Sequence, residues 1–226
     1  MTQPLTLVLE TSTPRASLAT VAEGGRVEFR EFTSDRSHNA VLFGPLRELL
    51  DARSSPEIGL VLVGSGPGSY SGTRVGIAAA QGVAIASSCP AVAVPSILAV
   101  PSAENGARCL AIGDARRGSF WTAAVGESHL HADPELTDAA GFLKAIEAAL
   151  ADQLPVFTFE SPDRFPLPAE IIAQIRLEFP DAQRLWQAWS AAPAHARESW
   201  STAAPQPIYL KPPHITPAKR PWLVQP

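Results

Sequence analysis

The stretch GLVLVGSGPGSYSGTRVGIAAAQGVAIAS, residues 59–87, decides the fold. Its apolar start, Gly59–Gly64, predicts a buried strand, and a glycine-rich turn then leads into a helix from about Gly72. Glycines leave backbone N–H groups uncovered, and a helix N-terminus adds partial positive charge, so this turn is able to cradle an anion. It is no P-loop, because no lysine follows Gly72, and Ser71 breaks the GxGxxG pattern. A tight turn without a ligand stays open as the alternative.

Outward from this stretch, one order of elements occurs twice. An apolar strand at Leu5–Leu9 ends at Glu10, and another at Arg108–Gly113 ends at Asp114. Each predicted strand is followed by two more strands, a helix and a strand. We therefore expect an α/β protein with a duplicated β-β-β-α-β unit, and one unrepeated α/β domain is the alternative.

This duplication predicts the domain organisation. The N-terminal lobe covers residues 1–104, a smaller C-terminal lobe covers 105–204, and a proline-rich tail at 205–226 lies extended on the surface. Outside the repeated strands, the sequence predicts a helix at Ser37–Ala52 and a helix near Ser96. It also predicts two amphipathic helical pieces within Pro168–Ala192, broken at Pro180.

Composition excludes several classes of protein. With 46% hydrophobic residues the chain of 226 residues can bury a core, and its net charge of −4 disfavours a nucleic-acid-coating protein. Cys89 and Cys109 cannot form a disulfide framework, which favours a reduced cytoplasmic compartment. The uncharged run 75–103 is interrupted by prolines, so we interpret it as buried helix and strand rather than as a membrane span.

The helix after the glycine-rich turn carries small side chains on more than one face. Interior glycine costs about 1 kcal/mol relative to alanine, and close approach of another helix is the usual compensation. Packing within the same lobe is one interpretation, and a subunit interface shared with the Ser37–Ala52 helix is the other. The predicted interface residues are Val41, Leu42, Pro45, Leu49, Gly72, Arg74, Val75, Gly76, Ala79, Ala80 and Val83.

The acids that end the two first strands are the candidates for ligand chemistry. Paired carboxylates at such turns hold a Mg²⁺–nucleotide in two-lobed ATPases. The candidate turn consists of Glu10, Thr11, Ser12, Gly66, Gly68, Ser69 and Asp114. No glycine follows Gly141 to let the backbone approach an adenosine, so an autonomous ATPase is disfavoured. We predict no catalytic residue and no metal site, although His129 and His131 alternate on a strand and leave a two-histidine site as an alternative.

Four motifs resemble those of the TsaB (YeaZ) family. They are LVLETST (Leu7–Thr13), GSGPGSYSGTRVG (Gly64–Gly76), DARRGSFWTA (Asp114–Ala123) and PIYLK (Pro207–Lys211). The resemblance implies two RNase H-like lobes of the actin/Hsp70/sugar-kinase (ASKHA) superfamily, with a degenerate second lobe. Glu10 stands where the family usually has aspartate, and Lys211 where it usually has arginine.

The resemblance also implies a function. The family supports, without catalysing, the formation of N6-threonylcarbamoyladenosine (t6A) at position 37 of tRNA. Its members pair with the metal-binding paralogue TsaD, work with the ATPase TsaE, reach tRNA through that complex, and form a homodimer when alone. The resemblance implies no cofactor that the chain binds alone. It implies a nucleotide (ATP or ADP) at the interface of the complex.

Two other classes of function remain as alternatives. A small-molecule kinase or ATPase needs a glycine-rich adenosine turn and a catalytic base, and a peptidase needs a metal set or an activated nucleophile. The residues assemble neither set. A cytoplasmic, non-membrane accessory subunit is the expectation.

Overall fold

The computed structural model of this chain describes residues 4–33, 41–51 and 57–211. Its strands are β1 (Leu5–Glu10), β2 (Arg15–Val21), β3 (Val27–Thr33), β4 (Ile58–Gly64), β5 (Ala91–Val94), β6 (Cys109–Asp114), β7 (Phe120–Gly126), β8 (His129–Leu130), β9 (Glu135–Thr137), β10 (Val156–Thr158) and β11 (Ile175–Leu177). Its α-helices are α1 (Phe43–Asp51), α2 (Tyr70–Ser87), α3 (Ala139–Ala151), α4 (Ala169–Ile172), α5 (Ala182–Ala191) and α6 (Ala194–Thr202).

The first sheet has the strand order β3-β2-β1-β4-β5. Strand β1 lies in its centre, antiparallel to β2 and parallel to β4. Because both faces of β1 are covered, its sequence is continuously apolar rather than alternating. Leu7 and Leu9 point into a core cluster with α1 and α2, while Val8 points into another cluster with α5.

The second sheet repeats this arrangement. Its order is β11-β10-β6-β7-β8, with β9 also paired to β7. Strand β6 takes the place of β1, antiparallel to β7 and parallel to β10. The predicted duplication is therefore confirmed by topology, and the carboxyl ends of β1 and β6 carry Glu10 and Asp114 as expected.

The two sheets are joined through helix α5. Leu185 and Ala188 of α5 pack in one buried cluster with Val8 of the first sheet and Ala111 of the second. The hydroxyl of Ser17 accepts a hydrogen bond of 2.9 Å from the N–H of Ala182, where α5 begins. Helix α5 therefore covers one face of the first sheet, and α1 and α2 cover the other face.

Two predicted helices differ from the structure. The segment near Ser96 forms two 3₁₀ segments, Ser96–Leu98 and Pro101–Gly106, because prolines interrupt it before a full helix can form. The stretch from Pro168 does not form one amphipathic helix before Pro180. Helix α4 ends at Ile172, and Ile175 begins β11, parallel to β10.

Two further predictions fall partly outside the described residues. Helix α1 covers Phe43–Asp51 of the predicted Ser37–Ala52, and residues 34–40 and 52–56 lie outside the description. The tail is extended over its described part, 205–211, and residues 212–226 lie outside. The lobe boundaries at 104 and 204 stay a prediction.

Candidate functional site: an interlobe cleft and an apolar groove

Glu10 is completely buried at the end of β1. Its Oε1 accepts a hydrogen bond of 2.7 Å from the N–H of Ser12, while Oε2 has no hydrogen-bond partner among the described residues. Burial raises the pKa of Glu10, and the hydroxyls of Ser12 and Ser96 oppose that shift. The carboxyl group fits because residue 64 is glycine. Any other residue at that position would have a Cβ that collides with Oε2. A carboxyl group in this position does not face the cleft.

The glycine-rich turn uses several of its amide groups internally. Gly66 has a φ of +82°, and its N–H donates to the Ser96 hydroxyl at 3.0 Å. The N–H of Ser69 donates to the carbonyl of Ser12 at 2.5 Å, and the Ser69 hydroxyl caps α2 by accepting from the N–H of Gly72. Three of the donors that an anion would need are therefore already engaged within the turn.

The opposite turn of the second lobe is an ion-paired cluster. The backbone and guanidinium of Arg116 donate to the Asp114 carboxylate at 2.6 and 3.1 Å. The N–H of Asp114 donates to Glu160 Oε1 at 3.0 Å, and Lys211 Nζ donates to the carbonyl of Arg116 at 2.9 Å. Asp114 is thus held by a neighbouring cation at the cleft wall.

A cleft of about 620 Å³ separates these two turns. Of the seven residues predicted for an anion turn, Ser12, Gly68, Ser69 and Asp114 line it, and Glu10, Thr11 and Gly66 do not. Trp121, Glu160, Leu210 and Lys211 line it as well. Glu160 is a lining residue that the sequence motifs did not predict. The sequence feature that could have identified Glu160 is its position just after β10. The carboxyl ends of the parallel strands β6 and β10 meet at the same edge of the second sheet, next to Asp114.

A shallow groove of about 620 Å³ lies between α2 and α1. Its lining is apolar except for one arginine and consists of Phe43, Leu46, Arg74, Val75, Ala78, Ala79, Gly82, Val83 and Ala86. Phe43 of α1, in this lining, is 56% exposed, and Ile85 of α2, beside the groove lining in sequence, is 81% exposed. Exposed apolar side chains concentrated in one groove are typical of an interaction surface.

The structure divides the predicted interface residues into four groups. Arg74, Val75, Ala79 and Val83 line the groove, and Val41 and Pro45 are half-buried on or beside α1. Leu42, Leu49 and Ala80 belong to the buried core cluster. Gly72 and Gly76 are buried against the first sheet.

At Gly76 the structure favours the alternative of packing within the lobe, because a Cβ there would collide with the hydroxyl of Thr11 in the same lobe. Gly72 is bound to the same residue, since its carbonyl accepts a hydrogen bond of 2.8 Å from the Thr11 hydroxyl. The small side chains of α2 serve two purposes. Gly72, Gly76 and Ala80 allow close packing on the sheet, and Gly82 lies in open space on the groove side.

Three histidine rings lie near one another within the described ranges. The rings of His129 and His131 are 4.8 Å apart, and His195 lies 5.3 Å from His129. No three metal-ligating side chains of the described residues converge on one point. Of the helices in the same ranges, none is both long and apolar enough to cross a membrane.

Comparison with known proteins places the chain in a family. The family model described as "TsaD: tRNA N6-adenosine threonylcarbamoyltransferase" matches residues 33–152, more than half of the chain. Two curated relatives named "tRNA threonylcarbamoyladenosine biosynthesis protein TsaB" are each 31% identical to it. The chain belongs to the TsaD family, within its TsaB/YeaZ group.

The TsaB match covers part of each protein. The Escherichia coli K12 relative aligns over 122 residues, 51% of this chain and 52% of that protein. The Haemophilus influenzae relative aligns over 104 residues, 45% and 44%. The chain thus spans about half the length of the curated TsaB proteins it matches.

The fold extends the likeness to almost the whole chain. The structure of YeaZ from Pseudomonas aeruginosa covers 92% of this chain and 100% of its own, with a TM-score of 0.67 and 23% identity. With the repeated strand order, this confirms the predicted α/β fold with two related sheets.

Proposed function

We propose that this chain is a non-catalytic subunit of the assembly that forms t6A in tRNA, and that it pairs with a TsaD subunit through the groove between α1 and α2. The observation that carries the proposal is the groove itself, which is lined by the half-buried Val75 and Val83 and by the exposed ring of Phe43. Large exposed apolar surfaces are costly in water, and a partner that covers them is the usual explanation. The TsaB names of the relatives supply the pathway.

The cleft supports the non-catalytic part of the proposal. The two acids that a nucleotide-hydrolysing site would use are both engaged, since Glu10 is buried and Asp114 is paired with Arg116. A metal-binding carboxylate needs to be ionised and open to the ligand. In this proposal the transfer chemistry belongs to TsaD, tRNA is reached through the complex, and TsaE acts as the ATPase.

Cofactor and location follow the same proposal. The chain carries no cofactor of its own, and a nucleotide (ATP or ADP) binds where subunits meet. Calorimetric titration with ADP tests this point. We expect heat of binding with the mixture of this chain and TsaD and none with the chain alone, and binding by the chain alone contradicts it. A cytoplasmic location follows from the pathway.

Light scattering with gel filtration tests the pairing. The chain is measured alone and mixed with TsaD of the same source, and we expect a one-to-one species that replaces a homodimer. Gly82→Leu is the blocking variant, because a Cβ on Gly82 meets no atom within 4 Å while a larger side chain fills the groove. Ala148→Leu, on an exposed position of α3, is the matched control.

The outcomes separate clearly. Loss of pairing in Gly82→Leu with pairing kept in Ala148→Leu supports the proposal. Absence of pairing by the unmodified chain, or equal pairing by both variants, contradicts it.

A further inference from the structure

We propose that Arg74, clamped between Tyr70 and Tyr209, is a receptor for a single carboxylate on the partner subunit that covers the groove. This inference rests on the proposed function and adds the chemistry at one end of the groove.

The guanidinium of Arg74 is held in place by two tyrosines. It donates to the carbonyl of Tyr70 at 3.0 Å and to the hydroxyl of Tyr209 at 3.1 Å. Its carbon lies 3.3 Å from the centre of the Tyr70 ring and 5.1 Å from that of Tyr209. A guanidinium fixed before binding loses less conformational entropy when a ligand arrives.

The remaining donors of Arg74 have no acidic partner in the described part of the chain. The ion pairs of that part join other residues. Arginine has five N–H donors in a planar fork that matches a carboxylate. Arg74 therefore holds N–H donors in a fixed position that no acid of the described residues binds.

The position of Arg74 makes an acidic partner necessary. It is the charged member of an otherwise apolar lining, and its tyrosine neighbours are 73% and 55% exposed. A partner that covers the groove removes water from this charge. An unpaired charge taken out of water is strongly destabilising, so the covering surface has to supply an anion at that end.

The surroundings favour a protein carboxylate over a nucleic-acid phosphate. Tyr70 also lines the cleft, whose wall carries Asp114 and Glu160. The same wall also carries Arg116 and Lys211, so its charges balance and it is not the basic surface that a polyanion needs. A single carboxylate beside apolar side chains matches one arginine at the end of an apolar groove.

A second copy of this chain fits less well. The groove of a second copy offers no carboxylate to Arg74, because the groove lining contains no acid. We therefore assign the carboxylate to a partner of different sequence, presented beside apolar residues that enter the groove next to Val75 and Ala79.

Affinity for purified TsaD of the same source, measured by calorimetry at several salt concentrations, tests the inference. We expect Arg74→Gln to weaken binding about 30-fold or more, since truncating one member of a buried charge pair costs ~2–5 kcal/mol. Binding by the unmodified chain should also weaken more steeply with salt than binding by Arg74→Gln. Tyr209→Phe keeps the ring and removes one hydrogen bond, so we expect about a three- to tenfold loss. Arg197→Gln, on an exposed position of α6, is the matched control and should bind normally.

A charge reversal identifies the partner group. Arg74→Glu should abolish binding, and one Asp→Lys or Glu→Lys change in TsaD should restore it. The folded state of each variant is checked by circular dichroism, and the milder Tyr209→Phe variant covers the case in which Arg74→Glu fails to fold.

The outcomes distinguish this inference from the proposed function. If the unmodified chain does not bind TsaD, the proposed function fails. If Gly82→Leu blocks binding but Arg74→Gln binds normally, the carboxylate receptor is overturned while the proposed function stands. Loss of homodimer alone, or of tRNA binding by the assembled complex alone, assigns Arg74 to another ligand and also overturns the inference.

Discussion

The hydroxyl of Thr11 occupies the space in which a side chain on Gly76 would begin, and it donates a hydrogen bond of 2.8 Å to the carbonyl of Gly72. Helix α2 therefore rests directly on the end of β1. This contact fixes the glycine-rich turn, which lies between the two elements and begins the helix at the cleft.

Gly76→Ala is expected to destabilise the protein by about 1–3 kcal/mol, because the added methyl group forces α2 away from Thr11. The free energy of unfolding in urea measures this effect. Gly82→Ala is the matched control in the same helix, and we expect it to stabilise by about 1 kcal/mol because its Cβ meets no other atom.

A second substitution separates this contact from a general effect on the helix. In the Thr11→Ala background, Gly76→Ala should cost clearly less, because the colliding hydroxyl has been removed. An unchanged cost in that background contradicts the contact.

The pH dependence of stability should report on Glu10. Burial raises the pKa of its carboxyl group above the ordinary value of 4.5, so the folded protein binds this proton more tightly than the unfolded chain does. The stabilising contribution is present below about pH 4.5 and is lost as the pH rises through the folded pKa. Glu10→Gln keeps an acceptor for the N–H of Ser12 without the charge.

We therefore expect Glu10→Gln to be more stable than the unmodified protein near neutral pH, and the difference to vanish in acid. Urea unfolding at a series of pH values measures it. Glu10→Ala, which also removes the acceptor, should be less stable than Glu10→Gln at every pH. A difference between Glu10→Gln and the unmodified chain that does not change with pH contradicts the burial argument.

Much of the fold is encoded in patterns that the sequence shows directly. The continuous apolar runs before Glu10 and Asp114 predict central strands covered on both faces, and the structure places β1 and β6 there. Short elements are harder to predict. Strand β11 has three residues, and its Ile175 follows Ile171 and Ile172 at a helical spacing, so period alone cannot separate the strand from the helix.

The site was predictable in type but not in orientation. Small residues recur along the sequence of α2. The sequence does not show which of them face the sheet. Gly76 and Gly82 look alike in sequence, yet one lies against Thr11 and the other in open space. That distinction depends on the rotation of the helix about its axis, which only tertiary packing determines.

The two cysteines should differ in reactivity. Burial raises the pKa of Cys109 to about 12, with Glu178 adding to the shift and Arg176 opposing it. Burial also raises the pKa of Cys89, but this thiol is partly exposed. Because the thiolate is the reactive form, iodoacetamide at pH 8 should label Cys89 first and Cys109 only after unfolding in urea.

Mass spectrometry of peptides from the labelled protein measures the order of reaction. Under native conditions, the Cys89→Ser variant should remain unlabelled over the time in which the unmodified protein takes up one label. Labelling of Cys109 as fast as Cys89 in the folded protein contradicts the burial of that thiol.

The contact between α5 and the first sheet includes a buried hydrogen bond between Ser17 and Ala182. The Ser17 hydroxyl is buried in the first sheet and accepts the N–H at the first residue of α5. Ser17→Ala leaves that buried N–H without its acceptor, which should cost about 1–3 kcal/mol. Urea unfolding gives the cost, and faster hydrogen exchange at the amide of Ala182 locates it. Ser190→Ala, an exposed change on the same helix, should stay within about 0.5 kcal/mol of the unmodified protein. If Ser17→Ala leaves both stability and the exchange of Ala182 unchanged, α5 is held to the first lobe by its apolar face alone.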